Sequence, residues 1–256
     1  MTVLDQFRLD GKVALVTGAS RGLGQGMAVG LAEAGADIAG LDRTPDCNET
    51  CAQVEALGRR YLNLSIDLLN ATPEDLARAV AQVVEGLGRL DILVNNAGII
   101  RRAPALDYSV ADWAAVININ LRAVFFLSQA AGRVMAAQGG GKIISVASML
   151  SFQGGILVPS YTASKSAIAG LTHALANEWA PLGINVNAIA PGYMATDNTA
   201  PIRADAARSE SILARIPAGD WGTPDDLKGA VVYLASDAAR YVHGAILPVD
   251  GGWLGR

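Results

Sequence analysis

The amino-acid sequence predicts an α/β fold in which helices cover both faces of a doubly wound, seven-stranded parallel sheet. Short apolar runs alternate with longer helix-patterned segments along the whole chain, and repeated βα units indicate a parallel sheet. Several runs, among them VALVTG, ILVNN and KIISVAS, are apolar throughout, which is typical of strands buried on both faces. A composition of 51% hydrophobic and 17% charged residues provides for a sizeable core and argues against disorder.

Strands and helices alternate in the first half of the chain. The first strand is KVALVTG, and the segment behind it, GLGQGMAVGLAEAG, has helical spacing and stops at a glycine. The next strands are ADIAGLD, RRYLNLSID and DILVNNAG. The helices between them are predicted at residues 48–57 and 73–86.

The second half continues this alternation. We predict a long helix at about residues 111–137, the strand GKIISVAS, a helix at 159–180, the strand INVNAIAP, and a last helix and strand in DLKGAVVYLA and AILPVDGG. Residues 193–222 interrupt the pattern with a polar stretch and a weak helix bounded by Pro201 and Pro217, and we interpret them as a lid. No linker or repeat divides the chain, so residues 1–256 are expected to form a single domain.

Charge and hydropathy argue against several kinds of partner. The net charge is −4, and Lys and Arg are scattered rather than gathered in a stripe, so no nucleic-acid partner is expected. No uninterrupted apolar run reaches the length of about 18 residues that a membrane span needs. We attribute the mean hydropathy of +0.30 to subunit interfaces. The amino-terminal residues lack a signal core with a cleavage site, so a cytoplasmic location is expected.

The cysteines and histidines do not form a metal motif. Cys47 and Cys51 have no histidine nearby, and we interpret them as ordinary reduced thiols. His173 and His243 have no partners at ligand spacing, and zinc sites need three or four clustered ligands. We therefore predict no metal site.

A glycine-rich turn, TGASRGLG, joins the first strand directly to the first helix. Glycines allow the backbone to approach a pyrophosphate closely, and the free amides at the helix start attract its charge. The spacing G-x-x-x-G-x-G differs from the common dinucleotide motif, and close packing alone is the alternative explanation. The turn predicts a Rossmann-type cofactor site with contacts from Gly18, Ser20, Arg21, Gly22, Leu23 and Gly24.

An acidic residue ends the second predicted strand. Asp42 could bond the ribose hydroxyls of the cofactor and would repel a 2′-phosphate, which favours NAD over NADP. Arg43 beside it could weaken that discrimination. Asp67 closes the third strand, where it could bond adenine or simply cap a turn. Further cofactor contacts are expected at the same sheet edge from Leu68, Asn95, Ala97 and Gly98.

Tyr161 and Lys165 are four residues apart in a predicted helix, so both side chains lie on one face. An ammonium about 4 Å from a phenol contributes on the order of 4 kcal/mol at an effective dielectric constant near 20. That corresponds to roughly three pKa units and would bring the tyrosine close to neutral pH, where a general acid or base works best. Taken singly, each residue has a structural explanation, as a buried tyrosine or a surface lysine.

Further motifs complete a pattern that resembles the classical short-chain dehydrogenase/reductases over essentially the whole chain. The motifs are TGASRGLG, NNAG, NINL, Ser148, YTASK and PGYMAT. The resemblance implies that Tyr161 transfers a proton at the substrate oxygen, Ser148 orients that oxygen, Lys165 binds ribose, and Asn120 holds a relay water. It also implies a homotetramer and a nicotinamide end lined by Pro191, Gly192 and Thr196. Met194, beside them, is a further expected cofactor contact and a hypothetical pocket residue.

Longer stretches resemble the branch of that family that acts on 2-dehydro-3-deoxy-D-gluconate, whose members are also called 2-deoxy-D-gluconate 3-dehydrogenases. They are NNAGIIRR, VASMLSFQGGILVPSYTASKSA, NEWAPLGINVNAIAPGYMATDNT and RIPAGDWG. This resemblance implies a small sugar-acid substrate and its 2,5-diketo form. Arg101 and Arg102 could clamp the carboxylate, or they could be solvated or lie at a subunit interface. Further substrate contacts are hypothesised for Gln153, Tyr193 and Arg203.

Two other functions remain open at this point. A reductase of 3-oxoacyl chains or of uronate-derived keto acids would share the same catalytic residues, although a long acyl chain needs an extended apolar groove. A protein that binds nucleotide without catalysis would share the fold. Turnover of cofactor separates catalysis from binding, because binding alone consumes none.

Overall fold

A computed structural model of the protein describes residues 2–44 and 48–256. It confirms the predicted fold class: seven parallel strands form one sheet in the order β3-β2-β1-β4-β5-β6-β7. The strands are β1 (Val13–Thr17), β2 (Asp37–Asp42), β3 (Tyr61–Ser65), β4 (Ile92–Asn95), β5 (Gly141–Val146), β6 (Ile184–Pro191) and β7 (Ile246–Val249). The order reverses between β1 and β4, and such a switch point opens a crevice at the carboxyl ends of the strands.

Helices connect successive strands on both faces of the sheet. They are α1 (Gly22–Glu33), α2 (Asn48–Ala56), α3 (Pro73–Leu87), α4 (Val110–Ile117), α5 (Val124–Gln138), α6 (Pro159–Trp179), α7 (Ala200–Ala204), α8 (Ala206–Leu213) and α9 (Lys228–Ala235). The predicted long helix at 111–137 is continuous, but a π-helical turn, Asn118–Ala123, separates α4 from α5. The predicted helices at 48–57, 73–86 and 159–180 end within one residue of the observed ones.

Local sequence explains where α3 begins and ends. The Thr72 hydroxyl accepts a hydrogen bond from the Asp75 amide, and the Asp75 carboxylate accepts one from the Thr72 amide, so the two residues form a capping box. Pro73 occupies the first helical position, where its missing N–H is harmless. Gly88 ends the helix at a φ of 92°, in the left-handed region that favours glycine.

The sheet lies between two apolar layers. On one face, Met27 and Leu31 of α1 and Val231 of α9 are buried against strand residues that include Ile38 and Ile144. On the other face, α3 and α5 bury Val80 and Leu127 against Leu15, Leu93 and Ile143. Full burial of one such side chain stabilises the fold by about 1.5–3 kcal/mol. These layers hold the carboxyl ends of the strands in fixed positions.

One helical run, Val110–Gln138, is long and apolar enough to cross a membrane by length and composition, with a mean hydropathy of 1.5 and 28% of its most apolar window buried. The core helix of a soluble protein passes the same test. Here Leu127, Ala131 and Met135 pack into the core beside the sheet. The run therefore gives only weak support for a membrane span.

The two ends of the predicted lid, residues 193–222, lie side by side and are bonded to each other. Met194 and Gly222 form an isolated parallel bridge. The Ala195 amide donates to the Gly222 carbonyl at 2.7 Å, and the Gly222 amide donates to the Tyr193 carbonyl at 3.0 Å. Between these anchors, the segment contains α7, α8 and a 3₁₀ turn, Asp197–Thr199.

Candidate active site

The glycine-rich turn folds tightly between β1 and α1. Gly18 and Gly22 have φ values of 67° and 58°, where other residues are strained. A Cβ on Gly24 would overlap the Gly18 carbonyl oxygen. Asn96 supports the turn, since its Nδ2 donates to the Thr17 carbonyl at 2.9 Å and to the Gly18 carbonyl at 3.2 Å.

A cavity of about 740 Å³ runs from this turn along the carboxyl edge of the sheet to Tyr161 and Lys165. Its volume falls in the range of about 300–1,000 Å³ that ligand sites occupy. Most of the predicted cofactor residues line it, namely Gly18, Ser20, Arg21, Gly22, Leu23, Gly24, Asp42, Asp67, Leu68, Ala97, Gly98, Tyr161, Lys165 and Thr196. The glycine cradle and the elongated cavity fit a dinucleotide.

Four residues predicted to contact cofactor do not line this cavity. Asn95 is buried in β4, where its Nδ2 donates to Ser128 Oγ at 3.0 Å. Pro191 is paired in the sheet with Val249 of β7. Gly192 lies so close to Asp250 that a Cβ would meet its Cα at 2.6 Å, and Met194 packs against Gly222.

Other cavity residues escaped the sequence analysis. Asn96 lines the cavity in place of Asn95, and strand alternation was the signal that could have separated the two neighbours. Asp197 and Asn198 reach the cavity from the lid, and no sequence pattern marks them. Arg43, which the sequence placed beside Asp42 at the cofactor, also lines the cavity. The remaining additions are Leu41, Thr44, Ile66, Leu69, Ile99, Ile119 and Val146.

The two predicted acids of the cofactor site are both tied to backbone. Asp42 accepts hydrogen bonds from the Ala19 amide at 3.0 Å and the Ser20 hydroxyl at 2.9 Å, so it fixes the glycine-rich turn. Asp67 accepts from the Leu69 amide at 3.1 Å, which is the turn cap that the sequence left open as an alternative. Both carboxylates also line the cavity.

The Ser, Tyr and Lys predicted to be catalytic come together at the far end of the cavity. Ser148 follows β5, and Tyr161 and Lys165 lie in the first turns of α6, which begins at Pro159. Ser148 and Tyr161 share a side-chain hydrogen bond. The Lys165 ammonium donates to the Val146 carbonyl at 2.5 Å and lies 5.5 Å from the centre of the Tyr161 ring.

The expected lowering of the tyrosine pKa by Lys165 is wrong for this structure. Burial raises the pKa of Tyr161, and the hydrogen bond with Ser148 and the positive charge of Arg102 only partly counter it. Burial also lowers the pKa of Lys165, to about 8. Attraction between the two groups would lower the tyrosine pKa, but the free energy of removing both groups from water outweighs it.

Asn120 lies in the π-helical turn and is almost fully buried. Its Oδ1 accepts from the Ile99 amide at 2.9 Å, and its Nδ2 donates to the Ile99 carbonyl at 2.9 Å and to Ser164 Oγ at 3.3 Å. Asn120 therefore holds the loop after β4 against α6. π-helical turns within α-helices occur frequently at functional sites.

The two arginines predicted to bind substrate have different surroundings. Arg101 lines the cavity and pairs with Asp112 at 3.3 Å. Arg102 donates to the Asn198 carbonyl of the lid at 3.4 Å, and its charge lowers the pKa of Tyr161. Arg102 is therefore the arginine whose charge reaches the catalytic end of the cavity.

The other predicted substrate residues lie around the lid. Tyr193 packs edge-on against Trp221 and Trp253, with ring centres 5.5 Å and 4.9 Å apart. Arg203 is exposed and donates to the Thr196 carbonyl at 3.3 Å. Gln153 is partly exposed in the loop after Ser148.

Within the described ranges, no group of three or more His, Cys, Asp or Glu residues could hold a metal ion. His243 shares a hydrogen bond with Asn185 at 3.1 Å. Cys51 lies on α2, and burial raises the pKa of its thiol. Cys47 lies outside the described residues.

A glycine-rich dinucleotide cradle that leads to a Ser, Tyr and Lys set defines an oxidoreductase that acts on CH–OH groups with a nicotinamide cofactor. The family model described as enoyl-(acyl carrier protein) reductase matches residues 18–254. The chain belongs to the short-chain dehydrogenase/reductase family.

Its relatives match along their whole length. The chain is 60% identical to the 2-dehydro-3-deoxy-D-gluconate 5-dehydrogenase of Escherichia coli strain K12, with 99% of this chain and 100% of the relative covered. It is 56% identical to the enzyme of the same name from Bacillus subtilis strain 168, with 98% of each covered.

Solved structures agree with this placement. A candidate 2-deoxy-D-gluconate 3-dehydrogenase from Agrobacterium tumefaciens, with bound NADP, superimposes with a TM-score of 0.91 at 53% identity and covers 98% of this chain and 100% of its own. A gluconate 5-dehydrogenase from Burkholderia cenocepacia J2315, in complex with NADP and tartrate, has a TM-score of 0.95 at 40% identity and covers 100% of both chains.

Proposed function

We propose that the protein is an NAD-dependent dehydrogenase that interconverts 2-dehydro-3-deoxy-D-gluconate and its 2,5-diketo form. The observation that carries the proposal is the cavity that runs from the glycine-rich turn to Tyr161 and Lys165. Arg102 lies at the rim of this end, bonded to the lid, and its positive charge lowers the pKa of Tyr161. A carboxylate bound by that guanidinium would place the rest of a short sugar acid beside Tyr161. The names of the relatives at 56–60% identity support the same substrate.

We assign the side chains the roles that the resemblance to the family implies. The bound nicotinamide supplies the hydride acceptor in the oxidation and the hydride donor in the reduction. Tyr161 takes the hydroxyl proton of the substrate or returns it, and Ser148, its hydrogen-bond partner, holds the substrate oxygen in place. Lys165 binds ribose, and Asn120 holds the water that relays the proton to solvent.

Asp42 supports the choice of NAD, because a carboxylate at the end of β2 disfavours a 2′-phosphate. Both solved relatives described above contain NADP, and Arg43 and Thr44 also line this end of the cavity. The preference is therefore measured directly, as kcat/KM with NAD against NADP. A ratio below one would overturn the choice of NAD and leave the oxidoreductase assignment intact.

Substrate identity is tested with the purified protein, by absorbance of the reduced cofactor. We expect rapid turnover of 2-dehydro-3-deoxy-D-gluconate and none of a neutral hexose. Activity on another ketone or alcohol, without activity on this acid, would reject the substrate and retain the mechanism.

The carboxylate contact is tested with a matched pair of arginine variants. A charge-assisted hydrogen bond contributes about 1.5–3 kcal/mol, so Arg102→Ala is expected to raise the substrate KM roughly 10- to 100-fold. Arg101→Ala is the control, since Arg101 already pairs with Asp112. Equal effects of both variants would mean that neither arginine is the specific carboxylate ligand.

We also propose a cytoplasmic homotetramer whose single domain carries the lid of residues 193–222. Large apolar side chains are exposed along and beside α4, namely Leu106, Val110 and Trp113, and clusters of this kind mark interaction surfaces. Light scattering should give about four times the chain mass of 26.5 kDa. A monomer mass would overturn the assembly, and membrane-bound activity after cell fractionation would overturn the location.

A further inference from the structure

The last residues of the chain are bonded to the base of the lid. The Ala218 amide donates to the Gly251 carbonyl at 3.0 Å. Arg256 Nη1 donates to the Ala214 carbonyl at 3.1 Å. These two bonds hold both ends of the turn that follows α8, so the carboxyl-terminal residues 250–256, here called the tail, fix that part of the lid.

Two glycines let the tail approach the lid closely. Gly251 and Gly252 have φ values of 63° and 88°. A Cβ on Gly251 would meet the Ile216 side chain at 2.8 Å, and one on Gly252 would meet Pro217 at 3.1 Å. The tail and the lid are thus in direct contact along several residues.

Trp253 is the buried anchor of this contact. Its side chain is 5% exposed although it stands three residues from the chain end. Its ring packs edge-on against Tyr193, with centres 4.9 Å apart, and the Arg215 guanidinium lies 4.0 Å from its centre. Trp253 therefore contacts both Tyr193, the first residue of the lid, and Arg215, which lies two positions beyond the end of α8.

The same cluster reaches the catalytic residues. Trp253 shares a buried apolar cluster with Ile212 and Ile216 of the lid and with Met149. Met149 directly follows Ser148, the hydrogen-bond partner of Tyr161. A change in the tail can thus displace both the lid and the residue after the catalytic serine.

Packing, rather than hydrogen bonding, accounts for the position of the indole. Among the described residues, none forms a hydrogen bond with the buried Trp253 Nε1. An unsatisfied buried N–H costs about 1–3 kcal/mol. Edge-on aromatic pairs and a stacked guanidinium are favourable contacts that depend on the ring face.

We propose that Trp253 is a positioning residue for substrate, which acts through Tyr193 and α8 to hold the lid over the catalytic end of the cavity. The proposal rests on the proposed function for its choice of substrate. Trp253 contacts Tyr193 and the turn after α8, whereas the lid residues that line the cofactor cavity are Thr196, Asp197 and Asn198. Cofactor binding should therefore be affected less than substrate binding.

The test compares Trp253→Ala with Trp253→Phe. We expect Trp253→Ala to raise the KM for 2-dehydro-3-deoxy-D-gluconate about tenfold, while the KM for cofactor changes less than about twofold. Trp253→Phe keeps an aromatic ring and loses the N–H, so it should restore the substrate KM to within about threefold. Tyr241→Ala, which removes an exposed aromatic ring, is the matched control.

Tryptic cleavage provides a readout that does not require turnover. Arg203 and Arg208 are exposed in the lid, and their cleavage should be faster in Trp253→Ala and unchanged in Tyr241→Ala. An unchanged substrate KM and cleavage rate in Trp253→Ala would overturn the proposal. Equal losses in Trp253→Phe and Trp253→Ala would also overturn it, because they would show that an aromatic ring at this position is not enough to hold the lid.

Failure of Trp253→Ala to fold and failure of the proposed function are distinguished by separate measurements. If Trp253→Ala does not fold, Arg256→Ala replaces it, since this variant removes only the exposed side-chain bond to Ala214. Arg256→Ala should raise the substrate KM about threefold. An unchanged substrate KM in Arg256→Ala would count against the proposal. If the unmodified protein does not turn over the sugar acid, the proposed function fails, and the cleavage rates still decide whether Trp253 holds the lid.

Discussion

Tyr161 and Lys165 lie one helical turn apart on α6, and burial moves their pKa values in opposite directions. For the phenol, loss of water disfavours the anion. For the amine, it disfavours the cation. The phenol is therefore disposed to stay protonated, while Lys165 keeps its charge below a pKa of about 8. The Ser148 hydroxyl and the Arg102 guanidinium favour the phenolate.

Replacing Tyr161 by Phe should separate binding from catalysis. The ring remains in the cavity wall, so the affinity for NAD should change little. Loss of the proton-transfer group should lower kcat by about 10²- to 10⁴-fold. Cofactor titration by fluorescence and steady-state kinetics measure the two effects, and near-normal turnover in this variant would exclude Tyr161 as the acid or base.

Lys165 should make the stability of the protein depend on pH in the alkaline range. Its pKa is about 8 in the folded protein and 10.5 ordinarily, so between these values the unfolded chain binds more protons. The free energy of unfolding should then rise with pH across this window, by up to roughly 3 kcal/mol. Urea unfolding at several pH values measures the rise, and Lys165→Met should remove this component.

Individual residues show how far sequence reasoning reaches. The spacing of Tyr161 and Lys165 predicted their shared helix face correctly, because helical periodicity is a local property. Whether Asn95 or Asn96 lines the cavity depends on which of the two side chains faces the carboxyl edge of the sheet, and spacing alone does not settle that. The direction of the Tyr161 pKa depends on burial, which only the packed structure supplies.

At the scale of elements, the turn between β1 and α1 depends on close backbone approach. Gly24 lies against the Gly18 carbonyl, and a Cβ there would overlap backbone that has no free space to move. Gly24→Ala should therefore distort the cofactor cradle, weaken NAD binding at least about tenfold, and lower the melting temperature.

Gly229→Ala is the matched control for that prediction. Gly229 lies in α9 with open space around its Cα, and alanine in a helix is more stable than glycine by about 0.5–1 kcal/mol. Calorimetry and cofactor titration of both variants should show opposite shifts in melting temperature. Unchanged NAD affinity in Gly24→Ala would contradict the role of the turn.

Strands and helices with strong periodicity were predictable, whereas interruptions within them were not. The π-helical turn at Asn118–Ala123 has the same apolar pattern as the helices around it, so the sequence predicts one regular helix there. Only the structure reveals the wider π-helical turn, in which Asn120 bonds to the backbone of Ile99. The lid was identified by composition, but its attachment to the tail involves residues distant in sequence.

Across the whole molecule, the two ends of the sheet have different tasks. The carboxyl ends of the strands carry the glycine-rich turn, Asp42 and Ser148. The amino ends carry buried carboxylates paired with partly exposed arginines: Asp37 bonds Arg60 at 2.8 Å, and Asp91 pairs with Arg89. Changes at the amino ends should therefore alter stability without altering the cofactor site.

The pH dependence of stability that Asp37 contributes provides a test of this separation between stability at the amino ends of the strands and cofactor binding at their carboxyl ends. Burial would raise the pKa of this carboxyl, but hydrogen bonds from the Arg60 amide and from the Arg60 and Arg59 guanidinium groups outweigh it, and the pKa lies below its ordinary value of 3.8. Its stabilisation is present above that ordinary value and is lost as the pH falls through the lower, folded value.

Asp37→Asn should accordingly lower the free energy of unfolding by about 2 kcal/mol at neutral pH and make stability less sensitive to acid, with no change in the KM for NAD. Asp10→Asn is the control, because Asp10 is exposed and pairs with exposed Arg8, and such surface pairs contribute little. Denaturant unfolding at a series of acid pH values and cofactor kinetics measure both effects. A raised KM for NAD in Asp37→Asn, without a loss of stability, would show that the two ends of the sheet are coupled rather than separate.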